Sequence, residues 1–197
     1  MENFSLYVIE NLNNISPVFQ ILWMSFFAYA EGLPGIGSIL PGGTIALLAG
    51  SLSTSGSFSP FVAFLFIGVS NFLGDMTGFL LGKRFSNHRF IKNLVEKESH
   101  QKNWDLFDRH IALISIFGKL IPLVRSVPSI FAAFRGIKTR RYIIYSFIGS
   151  FLWAFAGVYF GNFLAQVFGS NAILIIFGIL IISIIIVATQ QIFKIKK

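Results

Sequence analysis

The chain contains no cysteine, which excludes disulfides, thiolate metal sites and a cysteine nucleophile. Charge is almost as scarce: Asp, Glu, Lys and Arg make up 12% of the 197 residues, against about 25% in an ordinary soluble domain. The scarcity is also uneven. No Lys or Arg precedes Lys83, and no charged side chain lies between Tyr142 and Phe193. A helix crosses the hydrocarbon core in about 20 residues, so that second stretch holds two passes, broken at Gly169, Ser170 and Asn171 where a turn is needed. A mean hydropathy of +0.72 agrees. Without a basic n-region at the N-terminus, no cleaved signal peptide is expected. Enzyme signatures are missing too: there is no H-E-x-x-H, no G-x-S-x-G and no Walker loop. No catalytic residue, metal or cofactor is therefore expected, and any transport must be passive or driven by an ion gradient.

What charge there is sums to +8. In a soluble protein that would suggest nucleic acid, but here the basic residues flank apolar spans instead of forming a base-reading module. They read as topology signals and as contacts for anionic lipid headgroups, with no nucleic-acid partner. His88, His100 and His110 sit in the one polar region without metal-ligand spacing.

Along the chain, the apolar segment from Pro17 to Ala30 stops at Glu31, short for a full span. From Gly32 to Gly56 the sequence stays apolar but carries Pro34, Gly35, Gly37, Pro41, Gly42, Gly43 and Gly50, a density that no continuous helix tolerates. A re-entrant loop over 32–56 is expected, since irregular backbone at membrane depth needs protein or a wet cavity to satisfy it. Ser59 to Gly82 is a full span carrying Asp75 and ending at Lys83 and Arg84. The polar stretch 85–110 places Phe90, Ile91, Leu94, Val95, Trp104, Leu106 and Phe107 as expected of short amphipathic helices on the surface. Residues 111–136 are again apolar and interrupted, by Gly118, Lys119, Pro122, Arg125 and Pro128, and predict a second re-entrant hairpin. Tyr142 to Leu164 and 171–193 complete about four full transmembrane helices.

The expected fold is thus an all-α polytopic membrane protein in one domain. A first half (17–84) and a second half (111–168) each carry a hairpin, with an amphipathic cytoplasmic loop (85–110) between them and a final helix (171–193) after them. Basic residues in 83–110, 135–141 and the C-terminal tail orient these segments toward the cytoplasm, so the two hairpins enter from opposite faces. An internal match supports an inverted repeat. LPGIGSILPGGTIALLAG (Leu33 to Gly50) parallels IPLVRSVPSIFAAFRG (Ile121 to Gly136), and NFLGDMTGFLLG (Asn71 to Gly82) parallels SFLWAFAGVYFG (Ser150 to Gly161).

Chemistry is sought among the few charges inside apolar sequence. Each ionisable group at mid-membrane costs roughly 2.5 to 3.5 kcal/mol on insertion scales, so Glu31, Asp75, Lys119 and Arg125 are expected to pair. Lys119 and Arg125 bracket Pro122 and would attract a phosphate. Ser126 caps an outgoing half-helix whose first turn tolerates Pro128, and Gly42, Gly43 and Thr44 open another, so both hairpin tips present free N–H groups to an anion. Plainer readings stand beside these. Glu31 suits the headgroup layer; Asp75, about 12 Å along a helix from Lys83, suits a structural pair with Lys83 or Arg84; Lys119 can snorkel to the surface. Gly74, Gly78 and Gly82 read as close helix packing, and Trp23, Trp104 and Trp153 need no ligand to explain them.

Glu31, the LPGG tract, GDMTGFLLGKR and GKLIPLVRSVP resemble, in order and spacing over residues 17–165, the DedA family of bacterial inner-membrane proteins, related to the VTT-domain (SNARE-associated Golgi) proteins. The resemblance implies a small flippase- or scramblase-like lipid transporter in the inner membrane, moving undecaprenyl phosphate or phospholipid, with protons or sodium as the coupling ion where there is one. It also implies an acid at Glu31, a second acid in the PG motif and two arginines in the second hairpin. Glu31, Pro41, Gly42, Gly74, Asp75, Gly78, Gly82, Pro122, Arg125 and Pro128 fit that pattern. The second acidic position falls on Gly43 and the first arginine on Lys119, which favours a passive scramblase and removes one bidentate phosphate contact. On this reading Lys119, Arg125, Ser126, Gly42, Gly43 and Thr44 bind the headgroup, while Glu31 and Asp75 serve proton coupling or gating. The rival is a non-transporting scaffold whose basic 83–110 loop docks a partner or anionic lipid; a phospholipid-cleaving enzyme comes third.

Overall fold

In the computed structural model the chain is described over residues 15–34, 42–85, 101–120, 127–169, 171–172, 174–179 and 181–182, with backbone alone at 42, 101–108 and 127. The described residues are helical, with no strand among them. The elements are α1 (Pro17–Gly32), α2 (Gly42–Leu52) running into a 3-10 turn at Ser53–Ser55, α3 (Pro60–Phe85), α4 (Gln101–Phe117) running into a 3-10 turn at Gly118–Leu120, α5 (Val127–Phe134) and α6 (Thr139–Phe168).

Local chemistry sets several of these bounds. Ser16 caps α1 by accepting from the Phe19 N–H at 3.3 Å, and Pro17 occupies the first turn where its missing N–H costs nothing. The helix stops at Gly32 because Leu33 precedes Pro34 and is driven to extended backbone (φ −74°, ψ 135°). Gly56, at φ +83°, turns the chain after the first 3-10 segment, a conformation that favours glycine. Pro128 falls in the first turn of α5, as expected of a tolerated proline.

Among the described residues, two helices are long and apolar enough to cross a membrane, α3 with 26 residues and α6 with 30. At 1.5 Å per residue both exceed the ~30 Å hydrocarbon core. They run antiparallel against each other: Phe72 meets Phe147, Phe79 stacks on Tyr142 at 4.3 Å between ring centres, and Lys83 donates to Thr139 Oγ1 at 2.6 Å. Around this pair α1 packs on α3, α2 on α6, α5 on α3 and α4 on α6. Each short segment between the longer helices of one half thus leans on the long helix of the other half.

The contacts depend on missing side chains. A methyl group at Gly74 would collide with the Tyr29 carbonyl oxygen, and one at Gly161 with that of Leu47. Gly78 gives Pro34 its place and Gly82 accommodates Ala133, so the three motif glycines are one packing stripe along α3. Outward positions are large and apolar instead. On α1, Val18, Phe19, Leu22, Trp23 and Phe26 are all exposed, which suits lipid and not water.

In the second half, α4 is kinked at His110 (φ −115°, ψ 16°), where two helical segments join, so the stretch from Ile111 begins as helix; the hairpin expected over 111–136 includes residues outside the described ones. The kink falls where the amphipathic loop was expected to end. The final span is described only in part, at 171–172, 174–179 and 181–182, all helical.

Candidate functional site

Along α3 the buried face reads Ala63, Ile67, Asn71, Asp75, Phe79; along α6 it reads Tyr142, Ser146, Ser150, Ala154, Val158. Steps of four keep each set on one side of its helix. Because the helices are antiparallel, the polar pairs coincide. Ala63, Ile67, Ala154 and Val158 join one apolar cluster with Ile21, Met24, Ala28 and Ala46, while Phe79 and Tyr142 join another with Ile111, Ala132 and Ala133. Asn71, Asp75, Ser146 and Ser150 form a polar layer between them.

Lys119 completes that layer. It sits in the 3-10 turn after α4, buried at 5% exposure, and pairs with Asp75 Oδ2. The ammonium also donates to Asn71 Oδ1 at 3.0 Å and to Ser150 Oγ. Ser146 Oγ donates to Asp75 Oδ2 at 2.8 Å, and Asn71 Nδ2 donates to the Ala28 carbonyl at 3.2 Å, tying the layer to α1. Ser129 of α5 and Ser146 flank the buried Tyr142 phenol. Each charge is therefore matched by an opposite charge and by neutral hydrogen-bonding groups, the condition for keeping ions out of water.

Glu31, at the last turn of α1, is 1% exposed and reaches the same place. Glu31, Gly32, Asn71, Asp75, Lys119 and Trp153 line one small cavity, with space for about one water molecule. The structure thus brings together Glu31, Asp75 and Lys119 from three separate segments. It also decides against the plainer readings: Glu31 is not in an exposed layer, Lys119 does not snorkel, and Asp75 pairs with Lys119. Lys83, named with Arg84 as the plainer partner for Asp75, reaches Thr139 and lies over the Phe79 ring at 5.1 Å.

Other expected site residues lie elsewhere. Gly42, Gly43 and Thr44 form the first turn of α2; Gly43 and Thr44 are not among the residues lining the cavity, Thr44 is buried, and a methyl group at Gly43 would meet nothing within 4 Å among the described residues. Pro41, Pro122, Arg125 and Ser126 fall outside the described residues. Asn71, Ser146, Ser150 and Trp153 were not singled out from the sequence as site residues. Two spaced pairs of polar residues, 71 with 75 and 146 with 150, each four apart within an otherwise apolar span, were the available signal.

The VTT domain family matches residues 40–163, which takes in α3, α6 as far as residue 163, and Asn71, Asp75, Lys119, Ser146 and Ser150. Inner membrane protein YghB of Escherichia coli strain K12 is 27% identical over 158 residues, covering 78% of this chain and 70% of its own length. Inner membrane protein YabI of the same organism is 27% identical over 153 residues, covering 74% and 58%. This chain belongs to the VTT-domain, DedA family. An uncharacterized membrane protein of Mycobacterium leprae is 29% identical over 160 residues, covering 75% of this DedA-family chain and 68% of the relative. No solved structure matches it significantly. Membership agrees with the apolar exterior of α1, α3 and α6: this is a membrane protein.

Proposed function

We propose that this DedA-family protein is an inner-membrane lipid transporter, flippase- or scramblase-like, that moves an anionic, phosphate-bearing lipid across the bilayer. One observation carries the reading: a layer of opposite charges and hydroxyls, Glu31, Asp75, Lys119, Asn71, Ser146 and Ser150, buried midway along two spanning helices. A fold needs no such layer for stability, because well-packed apolar residues serve at least as well in place of buried ion pairs. Ionisable groups retained at membrane depth mark pathways for polar cargo.

In this proposal the segments 32–56 and 111–136 are re-entrant hairpins from opposite leaflets, related as an inverted repeat, and their inner ends meet at the polar layer. The exchange of short helices between halves, α2 on α6 and α5 on α3, supports that arrangement. Lys119 and Arg125 contact the headgroup phosphate, with Ser126, Gly42, Gly43 and Thr44 at the hairpin tips; Glu31 gates or titrates. The protein is multi-pass with a cytoplasmic C-terminus, and with Gly43 where a second acid belongs, passive movement is the simpler mechanism.

Reconstitution tests it. Vesicles containing the protein are expected to translocate fluorescent polyprenyl phosphate or phosphatidic acid faster than empty vesicles, and Arg125→Ala is expected to slow this at least tenfold, the order of one lost charge-assisted contact. Equal rates with and without protein, for either lipid, would remove the transport reading. The scaffold alternative predicts that growth survives Arg125→Ala but not neutralisation of the basic 83–110 loop; a buried layer contributes nothing to such docking.

A further inference from the structure

An ammonium has three N–H donors, and all three of those on Lys119 are engaged, by Asp75 Oδ2, Asn71 Oδ1 and Ser150 Oγ. A phosphate arriving at Lys119 would find no donor left to accept from. Among the described residues, the cavity beside the pair holds about one water molecule. Toward an ammonium, a carboxylate oxygen and a phosphate oxygen are alike, both anionic acceptors of charge-assisted hydrogen bonds. Reaching Lys119 therefore means taking the place of Asp75.

We propose that Asp75 is a displaceable internal counter-ion: it occupies the position on Lys119 that the phosphate of an anionic lipid takes, and so holds the site closed. The inference rests on the reading of Lys119 as a headgroup contact. Geometry favours exchange. Asp75 and Asn71 belong to α3, and Ser146 and Ser150 to α6, two long helices packed along their length. Lys119 stands on a three-residue 3-10 turn outside both. Moving that turn away from α3 separates the ions without unpacking the helix pair, and Ser146 remains as a donor to the released carboxylate.

The full chain in detergent micelles offers an internal reporter. Trp153 lines the cavity, and Trp23→Phe with Trp104→Phe leaves it as the one tryptophan. The probe is dihexanoyl phosphatidic acid, read by Trp153 fluorescence, with dihexanoylglycerol as the uncharged control. Asp75→Asn is expected to bind the phosphatidic acid on the order of tenfold more tightly, the factor regained when a binding-competent state populated at about a tenth becomes dominant. Ser146→Ala, which keeps both charges and so preserves the fold if Asp75→Asn does not, is expected to shift binding the same way by less. Adding Lys119→Met to either variant is expected to abolish the gain.

Two results overturn the proposal: binding by Ser146→Ala and any folded Asp75→Asn that is no tighter than the background protein, or a gain that survives Lys119→Met. Translocation by the same wild-type protein in vesicles is measured in parallel. Transport without the affinity gain sinks counter-ion exchange alone; the gain without transport leaves a gated anion site and sinks the transport reading.

Discussion

Asp75 and Lys119 depend on each other more than on any neighbour, because each is an ion in an interior that water barely enters. Removing one partner of a buried pair typically costs about 3 to 5 kcal/mol, since the survivor stays charged and unmatched, whereas removing both can be nearly neutral. Lys119→Met is thus expected to lower the thermal unfolding midpoint in detergent substantially, and Asp75→Asn combined with Lys119→Met to recover most of the loss. Additive losses in the double variant would mean that the two side chains are not energetically coupled. Glu31 shows the limit of reading such residues one at a time. As a helix-terminal acid its sequence neighbourhood fits a wet boundary as well as a cavity; only the packing of α1 on α3 buries it.

Helices in this protein meet where side chains are missing. Gly74 lets α1 approach α3 until no methyl group fits against the Tyr29 carbonyl, and Gly50 does the same for α2 against Val158 of α6. Gly74→Val is expected to destabilise the fold by about 1 to 3 kcal/mol or more, the ordinary cost of overpacking, measured as detergent-solubilised yield and unfolding midpoint. Gly43→Ala, in the first turn of α2 with no described residue near the added methyl group, is expected to leave both unchanged or slightly raised, since alanine is the better helix former. If Gly74→Val were as stable as wild type, the α1–α3 contact described here would be wrong. At this scale much was legible beforehand: the spacing of Gly74, Gly78 and Gly82 pointed to packing, and the halt of the apolar segment at Glu31 lay within a residue of the end of α1. The partner surfaces were not, because a glycine stripe shows that something approaches closely without showing what.

Taken whole, the molecule is a helical membrane protein, and the orientation proposed for it rests on its charge asymmetry. The absence of cysteine makes that directly testable. With Ser170→Cys as a single thiol, a membrane-impermeant maleimide is expected to label intact cells from outside. With Lys196→Cys as the single thiol, labelling is expected after permeabilisation only. The reverse pattern would invert the topology drawn from the basic segments. Chain-wide composition determined membrane residence and the helical class, because apolar length and scarcity of charge are properties of the polymer before it folds. The resemblance in motif order was likewise visible and agrees with the VTT match over residues 40–163. Which ions share a chamber was settled only by tertiary structure. Lys83 and Lys119 were both chemically able to neutralise Asp75, one eight residues away on the same helix and the other far along the chain. The choice fell to the antiparallel docking of α3 on α6, which aligns Asn71 and Asp75 with Ser146 and Ser150, and to the packing of α4 and its 3-10 turn on α6, which brings Lys119 to meet them, a register that no local pattern encodes.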